Sequence, residues 1–252
     1  MTTSLLQLSV VIPAYNEAER LDATLQAVSA WLLAHCPCAE IVVVDDGSTD
    51  ATAVAVAGRQ NGAIPVRLLR HERNRGKGAA VRTGILATQG ELILVSDADL
   101  STPIAEADKL LARMTAETDV VIGSRVAAGA SLLVPQGWLR QVLGKSFNRG
   151  LRVAGLTLYR DTQCGFKLWR RETAHPVFTA GRIDGFAFDV EVLLLAERAG
   201  YRIAEVGVVW LNSPQSRVRV VRDSLAMFLA VLGLRLRTTR DRSGRGLGAV
   251  AV

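Results

Sequence analysis

The chain has 252 residues, 49% hydrophobic and 21% charged with 5% aromatic, which excludes disorder, a collagen repeat and a disulfide scaffold. It is long enough to bury a large core as one generous α/β domain or two small ones. The net charge of +6 is unevenly placed: residues 217–252 hold eight arginines and two aspartates, so the first 216 residues sum to zero.

In chain order, short β-branched apolar runs at residues 8–12, 41–44, 66–69, 92–95 and 120–122 alternate with helical patterns at 17–34, 50–57, 79–88 and 105–118. Continuous apolar runs are the pattern of strands buried on both faces, and strand–helix alternation predicts a mostly parallel central sheet with helices on both faces. Asn16, Thr49-Asp50 and Thr102-Pro103 signal helix starts. Beyond residue 122 the pattern changes. A loop of small residues (125–135) leads to an amphipathic helix at 136–154, a strand at 165–169, a helix at 190–199, a strand pair at 203–206 and 208–211, and a helix from about 222 to 237. The Ser-Gly-Arg-Gly run that follows reads as a disordered end, residues 241–252. No repeat or linker divides the chain, so residues 1–240 are expected to form one domain.

Cys36-Pro37-Cys38 lacks the two-residue gap of a redox or zinc hook, and with Cys164 the cysteines read as those of a reducing compartment. No signal-peptide pattern precedes the first strand, and no uncharged apolar stretch reaches the roughly 18–20 residues of a membrane span. The expected location is cytoplasmic.

Chemistry concentrates after the strands, because open parallel sheets bind ligands at the carboxyl ends of their strands. Strand one ends in Pro13-Ala14-Tyr15-Asn16-Glu17, strand two in Asp45-Asp46-Gly47-Ser48, and strand four in Ser96-Asp97-Ala98-Asp99. Acidic clusters on one edge repel one another unless a cation or hydrogen-bond donors lie between them. In extended chain, residues two apart project to one side, so Asp97 and Asp99 can share a hard cation, Mg²⁺ or Mn²⁺, that also bridges substrate phosphates. Asn74-Arg75-Gly76-Lys77-Gly78 opens a helix, where glycines and free N–H groups favour an anion. It matches neither the P-loop nor the dinucleotide fingerprint.

Together these residues resemble the family 2 inverting glycosyltransferases of GT-A fold, above all those acting on polyprenyl phosphates. The matching blocks are Val10–Glu17, Val42–Ser48, Asn74–Arg82, Ser96–Asp99, Gly123–Arg125, Asp161–Lys167 and Phe188–Glu191, in the family's order. The resemblance implies a nucleotide-sugar half (residues 8–123), an acceptor half (124–216) and an interfacial basic helix (217–240). It implies that Pro13, Ala14, Tyr15, Glu17, Asp45, Asp46, Gly76, Lys77, Ser96, Asp97 and Ala98 bind the nucleotide sugar. Asp97 and Asp99 would hold the metal. Arg125, Arg140 and Lys145 would hold the acceptor phosphate, and Asp161, Asp99 and Asp189 would serve the chemical step, with Glu191 beside the sugar. Ser101 stands where mannosyl relatives carry a metal-binding glutamine.

A phosphate acceptor is already anionic near pH 7 and needs no strong base, in keeping with His35, His71 and His175 lying outside every motif; a hydroxyl acceptor would need Asp161 or Asp189 as base. The apolar segment from Leu225 to Leu236, bracketed by arginines, suits a helix lying in the interface of an anionic membrane, and a core-packed or dimer-forming helix is the alternative. The expected partners are UDP-glucose, a polyprenyl phosphate and the cytoplasmic face of a membrane, with a homodimer open and no nucleic acid. GDP-mannose or another UDP-sugar is the alternative donor, and a glycan or small-molecule hydroxyl the alternative acceptor. A sugar-nucleotide pyrophosphorylase would instead carry a Gly-rich, Arg-containing loop after strand one, and a non-catalytic membrane-binding module would not depend on Asp99.

Overall fold

The computed structural model describes residues 7–59, 62–132 and 159–211. The helices expected at 136–154 and 217–240, the tail 241–252, and with them Arg140 and Lys145, lie outside the described residues.

The elements run β1 (Leu8–Ala14), α1 (Ala18–His35), β2 (Ala39–Asp45), α2 (Thr52–Ala57), β3 (Val66–Arg70), α3 (Lys77–Leu86) and β4 (Leu92–Val95). A 3₁₀ turn (Ile104–Glu106) and α4 (Ala107–Arg113) lead to β5 (Val120–Ser124) and β6 (Ser131–Leu132). Then follow β7 (Lys167–Arg170), α5 (Arg171–Ala180), α6 (Phe188–Arg198), β8 (Ile203–Gly207) and β9 (Val209–Trp210).

Seven strands form one sheet in the order β3-β2-β1-β4-β7-β5-β8. The other six are mutually parallel, and β7 alone runs antiparallel, wedged between β4 and β5. The alternation of side chains along the strands sorts the core into two layers. Val10, Ile12, Ile41, Val43, Leu94, Val121 and Leu168 face α1, α2 and α4. Val11, Val42, Val44, Ile93, Val95, Val120, Ile122 and Trp169 face α3, α5 and α6. The expected mostly parallel sheet with helices on both faces is therefore present. Among the described residues, no helix is long and apolar enough to cross a membrane.

Two local expectations are corrected, and one helix is added. The two last strands do not pair with each other: β8 joins the main sheet beside β5, and β9 pairs in parallel with β6. The helix expected to reach residue 118 stops at Arg113, where Met114 leaves helical geometry and Thr115–Thr118 close a turn. Residues 171–180 form a helix despite Pro176, because Thr173, Ala174, Val177 and Phe178 make an inward stripe at helical spacing. The antiparallel entry of β7 brings the loop before it, residues 161–166, to the edge where β1, β2, β4 and β5 end. That edge carries the site.

Candidate functional site

The loops after β1 and β2 are stitched together by hydrogen bonds. Asn16 N donates to Ser48 Oγ, Glu17 N to Thr52 Oγ1 and Thr49 N to Asn16 Oδ1, each at 2.8 Å. Asn16 adopts φ 55°, a conformation asparagine tolerates better than most residues. Ala14 ends β1 beside Asp45, its register partner in β2. The Asp45 side chain is fully buried; its Oδ1 accepts Ser48 N at 2.8 Å, and Arg70 Nε stands 3.1 Å from Oδ2. Pro13 is half-buried, Tyr15 is exposed, and the Glu17 carboxylate pairs with Arg20 Nε at 2.8 Å. These residues form one continuous wall.

Asp46 points into the protein. Its Oδ1 accepts His71 Nδ1 at 2.6 Å and Arg75 N at 3.0 Å, and its Oδ2 accepts Gly76 N at 2.8 Å. It fixes the loop before α3 rather than facing the edge. That loop also departs from the anion site its glycines suggest. Gly78 N and Ala79 N donate to the Asp184 carbonyl at 2.7 and 3.2 Å, so the chain's own backbone takes the helix N-terminus. Gly76, at φ 107°, and Gly78 are glycine because residues 183–184 press on them: a Cβ at either would lie 2.5 Å from a carbonyl oxygen.

Beyond this wall lies a cluster of alternating charge. Lys77 Nζ donates to Asp97 Oδ1 at 2.6 Å. Burial pulls the Lys77 ammonium down, but Asp97, Asp189 and Asp99 outweigh it and hold it above the usual lysine range. Asp97 is held low: burial opposes ionisation, and Lys77, Lys167 and Arg125 overcome that. Asp99, on the same segment, accepts Ser101 N through Oδ1 at 2.9 Å, and Arg20 Nη1 stands 4.0 Å from its Oδ2. Ser96 Oγ is buried with no hydrogen-bond partner among the described residues. The Ala98 carbonyl accepts Thr24 Oγ1 at 2.6 Å, anchoring the segment to α1.

On the far side, Asp161 and Arg125 form one unit. Arg125 donates from its backbone N and Nε to Asp161 Oδ2 at 2.9 and 2.7 Å, and from Nη2 to Oδ1 at 2.8 Å. This bidentate pair, with Asp161 almost wholly buried, keeps the carboxylate below its usual range although burial works against it. The Arg125 guanidinium also lies 5.8 Å from the Trp210 ring centroid. Asp189 is buried, with Lys167 Nζ on its Oδ1 at 2.5 Å; burial raises its carboxyl despite the cations of Lys167 and Lys77. Glu191 faces inward and accepts Arg182 N and Ile183 N at 2.9 and 2.7 Å. It holds the backbone of the loop that presses on Gly76.

The site therefore gathers Asp97, Asp99, Lys77, Asp161, Arg125 and Asp189, flanked by the Asp45–Glu17 wall. Asp46 and Glu191 serve as its internal ties. His71 is buried between Asp46 and Thr83, His35 stacks on Trp31, and His175 stands 3.4 Å from Thr88 Oγ1. Sequence reasoning gave no role to Arg20 or Lys167. The spacing of Glu17 and Arg20, one helical turn apart, was a signal for the first. For Lys167, the signal was a lone cation opening an apolar strand.

Three comparisons fit this geometry. The sequence matches the family described as Glycosyl transferase family 2 over residues 9–178. It is 38% identical over 226 residues to a dolichyl-phosphate beta-glucosyltransferase of Drosophila melanogaster, covering 84% of this chain and 69% of that one. A protein of the same name from Dictyostelium discoideum is 35% identical over 242 residues, covering 91% and 74%. The fold is similar to that of glucosyl-3-phosphoglycerate synthase from Mycobacterium tuberculosis, solved with Mn²⁺ and uridine-diphosphate-glucose. The TM-score is 0.65 at 20% identity, over 90% of this chain and 79% of that one. With its mostly parallel sheet and its acidic edge in the matched order, the chain belongs to glycosyl transferase family 2 and has the GT-A fold.

Proposed function

We propose that this protein transfers glucose from UDP-glucose to dolichyl phosphate or another polyprenyl phosphate, inverting the anomeric centre. The observation that carries the proposal is the 35–38% identity to dolichyl-phosphate beta-glucosyltransferases over 84–91% of this chain. The span includes both the carboxylate segment after β4 and the Arg125–Asp161 unit.

In this proposal Pro13, Ala14, Tyr15, Glu17 and Asp45 receive the base and ribose, and Lys77 faces the diphosphate. Asp97 and Asp99 hold a divalent cation, Mg²⁺ or Mn²⁺. Their donor set fits such an ion: two hard carboxylates on the segment after β4, with the Lys77 ammonium already standing as a cation on Asp97. That segment is not extended as expected but turns at Ala98–Asp99, with Leu100 N on the Asp97 carbonyl at 3.2 Å. Among the described residues no group of three or more His, Cys, Asp or Glu surrounds them, so the rest of the shell falls to water and substrate phosphate, as suits these ions. When bound, the ion supplies charge neutralisation to the departing nucleotide diphosphate.

The chain's own residues do the rest. Asp161 stays ionised, and Arg125 keeps it fixed while Nη1 of the same guanidinium has no hydrogen-bond partner among the described residues. The planar fork of a guanidinium also suits an oxygen of the acceptor phosphate. Such an oxygen is already anionic and needs no base, which agrees with an Asp189 carboxylate occupied by Lys167. Arg140 and Lys145 are proposed to hold the same phosphate. The protein is proposed to work peripherally on the cytoplasmic face of the membrane.

Replacing Asp99 tests the proposal at one residue. Asp99→Asn is expected to lower transfer about 10²–10³-fold, the scale of losing one charge-stabilising group. Measured as radiolabel moving from UDP-glucose into an organic phase, unchanged transfer in the variant contradicts the assignment.

A further inference from the structure

We infer that Lys167 is a positioning residue that sets the Cys164–Gly165 backbone as the wall against which the Asp97 carboxylate rests. The inference rests on the proposed nucleotide-binding role of Asp97.

Lys167 opens β7, where it is the register partner of both Val95 in β4 and Ile122 in β5. It therefore sits two positions from Asp97 on one side and three from Arg125 on the other. Its side chain is buried, and a buried ammonium persists only where partners replace the water it has lost. Two do so: Nζ donates to Asp189 Oδ1 and to the Cys164 carbonyl, each at 2.5 Å. The bond to Cys164 pins the peptide that leads into Gly165.

Gly165 shows what that peptide does. A methyl group on it would overlap both oxygens and the carboxyl carbon of Asp97. The Asp97 carboxylate thus lies directly on the bare backbone at residue 165, with Lys77 drawing Oδ1 from another side. A carboxylate held between an ammonium and a rigid peptide has one orientation. Without the tether at Cys164, the peptide is free to move and the carboxylate with it. Asp189 then acts as the partner that aims Lys167, and α6, which carries Asp189, is joined to the site through it. The same loop begins at Asp161, so the tether bears on the Arg125 pair as well.

The test uses the full chain with Lys167→Met, Lys167→Arg and Gly165→Ala. Calorimetric titration of UDP with Mn²⁺ is expected to show at least tenfold weaker binding for Lys167→Met. Lys167→Arg, which can still reach both oxygens, recovers much of the loss. Gly165→Ala, which keeps the lysine and its partners, is expected to weaken binding as strongly, and it carries the test if Lys167→Met does not fold. A purely structural lysine would lower the melting temperature and leave binding intact. Wild-type affinity in a folded Lys167→Met or in Gly165→Ala therefore overturns the inference.

Hydrogen exchange without ligand reads the wall separately. Residues 164–166 are expected to exchange at least tenfold faster in Lys167→Met than in the parent, with β1 unchanged. Equal exchange there overturns the inference too. If the parent protein binds no UDP with Mn²⁺, the nucleotide assignment fails while the exchange result still judges the tether.

Discussion

At the scale of single residues, the edge of the sheet holds acidic groups together by interleaving cations. Asp161 shows the consequence for pH. Burial alone would raise its carboxyl, but the Arg125 guanidinium, through charge and hydrogen bonds, holds it below its ordinary value of 3.8. The folded state thus binds this proton less readily than the unfolded chain. The stabilisation is fully present above about pH 4 and is lost as pH falls through the lower folded value. Asp189 tilts the opposite way: burial raises it, so its contribution declines as pH climbs from 3.8 through its folded value. Asp161→Asn is expected to cost about 2–3 kcal/mol at pH 7, the low end for breaking a buried pair because the Arg125 side chain keeps 25% exposure. It also flattens the acid limb. Urea unfolding between pH 2.5 and 7 checks both, and an acid limb identical to the parent's counts against this account of the pair.

At the scale of elements, one edge of the sheet serves binding and the other holds it together. Glu40 in β2 lies at the opposite end from the site. Its buried carboxylate accepts Ser9 Oγ at 2.7 Å, Gln89 N at 2.8 Å and Arg67 Nη1 at 2.9 Å. One side chain thereby ties β1, β3 and the turn before β4. Glu40→Ala strands the buried donors it leaves behind and is expected to cost about 2–3 kcal/mol in urea unfolding. The Michaelis constant for the donor is expected to stay within twofold of the parent. A large change in that constant with no loss of stability would be the opposite of what the placement implies.

Elements also divide what the sequence makes legible from what it hides. The parallel strands stand out as apolar runs because both their faces are covered, and the carboxylates announce themselves by following those runs. Pairing partners are not written in local pattern: nothing around Lys167–Arg170 says that this strand enters antiparallel, nor that Val209–Trp210 pairs with Ser131–Leu132 instead of its neighbour. Helix α5 is hidden by Pro176, whose usual effect is overridden by a buried stripe. Within the site, residue type identified the charged groups, but the direction each one faces depends on tertiary packing. Asp45 and Asp46 are adjacent, chemically equal and both buried, yet tertiary packing gives them different partners: Ser48 N and Arg70 for Asp45, His71 and the Gly76 backbone for Asp46. Lys167 escaped notice because its partners, Cys164 and Asp189, come from a loop and a helix that local pattern cannot bring together.

At the scale of the whole molecule, charge is segregated: the first 216 residues are neutral overall and residues 217–252 carry the net +6. A basic segment with apolar residues between its arginines binds anionic lipid surfaces through both terms, and salt weakens the electrostatic one. Flotation with vesicles containing phosphatidylserine is expected to carry the full chain upward at low salt. Deleting residues 217–252, or raising the salt to 0.5 M, is expected to reduce it. Equal flotation of full and shortened chains would remove the tail from the account of membrane docking.

The most direct test of the central proposal is transfer itself. Purified protein with Mg²⁺ or Mn²⁺ and dolichyl phosphate is given radiolabelled UDP-glucose or, in parallel, GDP-mannose. The account predicts label in the organic-extractable lipid from UDP-glucose, abolished by chelation and by Asp99→Asn. Label from GDP-mannose alone, or UDP-glucose consumed with no label reaching the lipid, would contradict it.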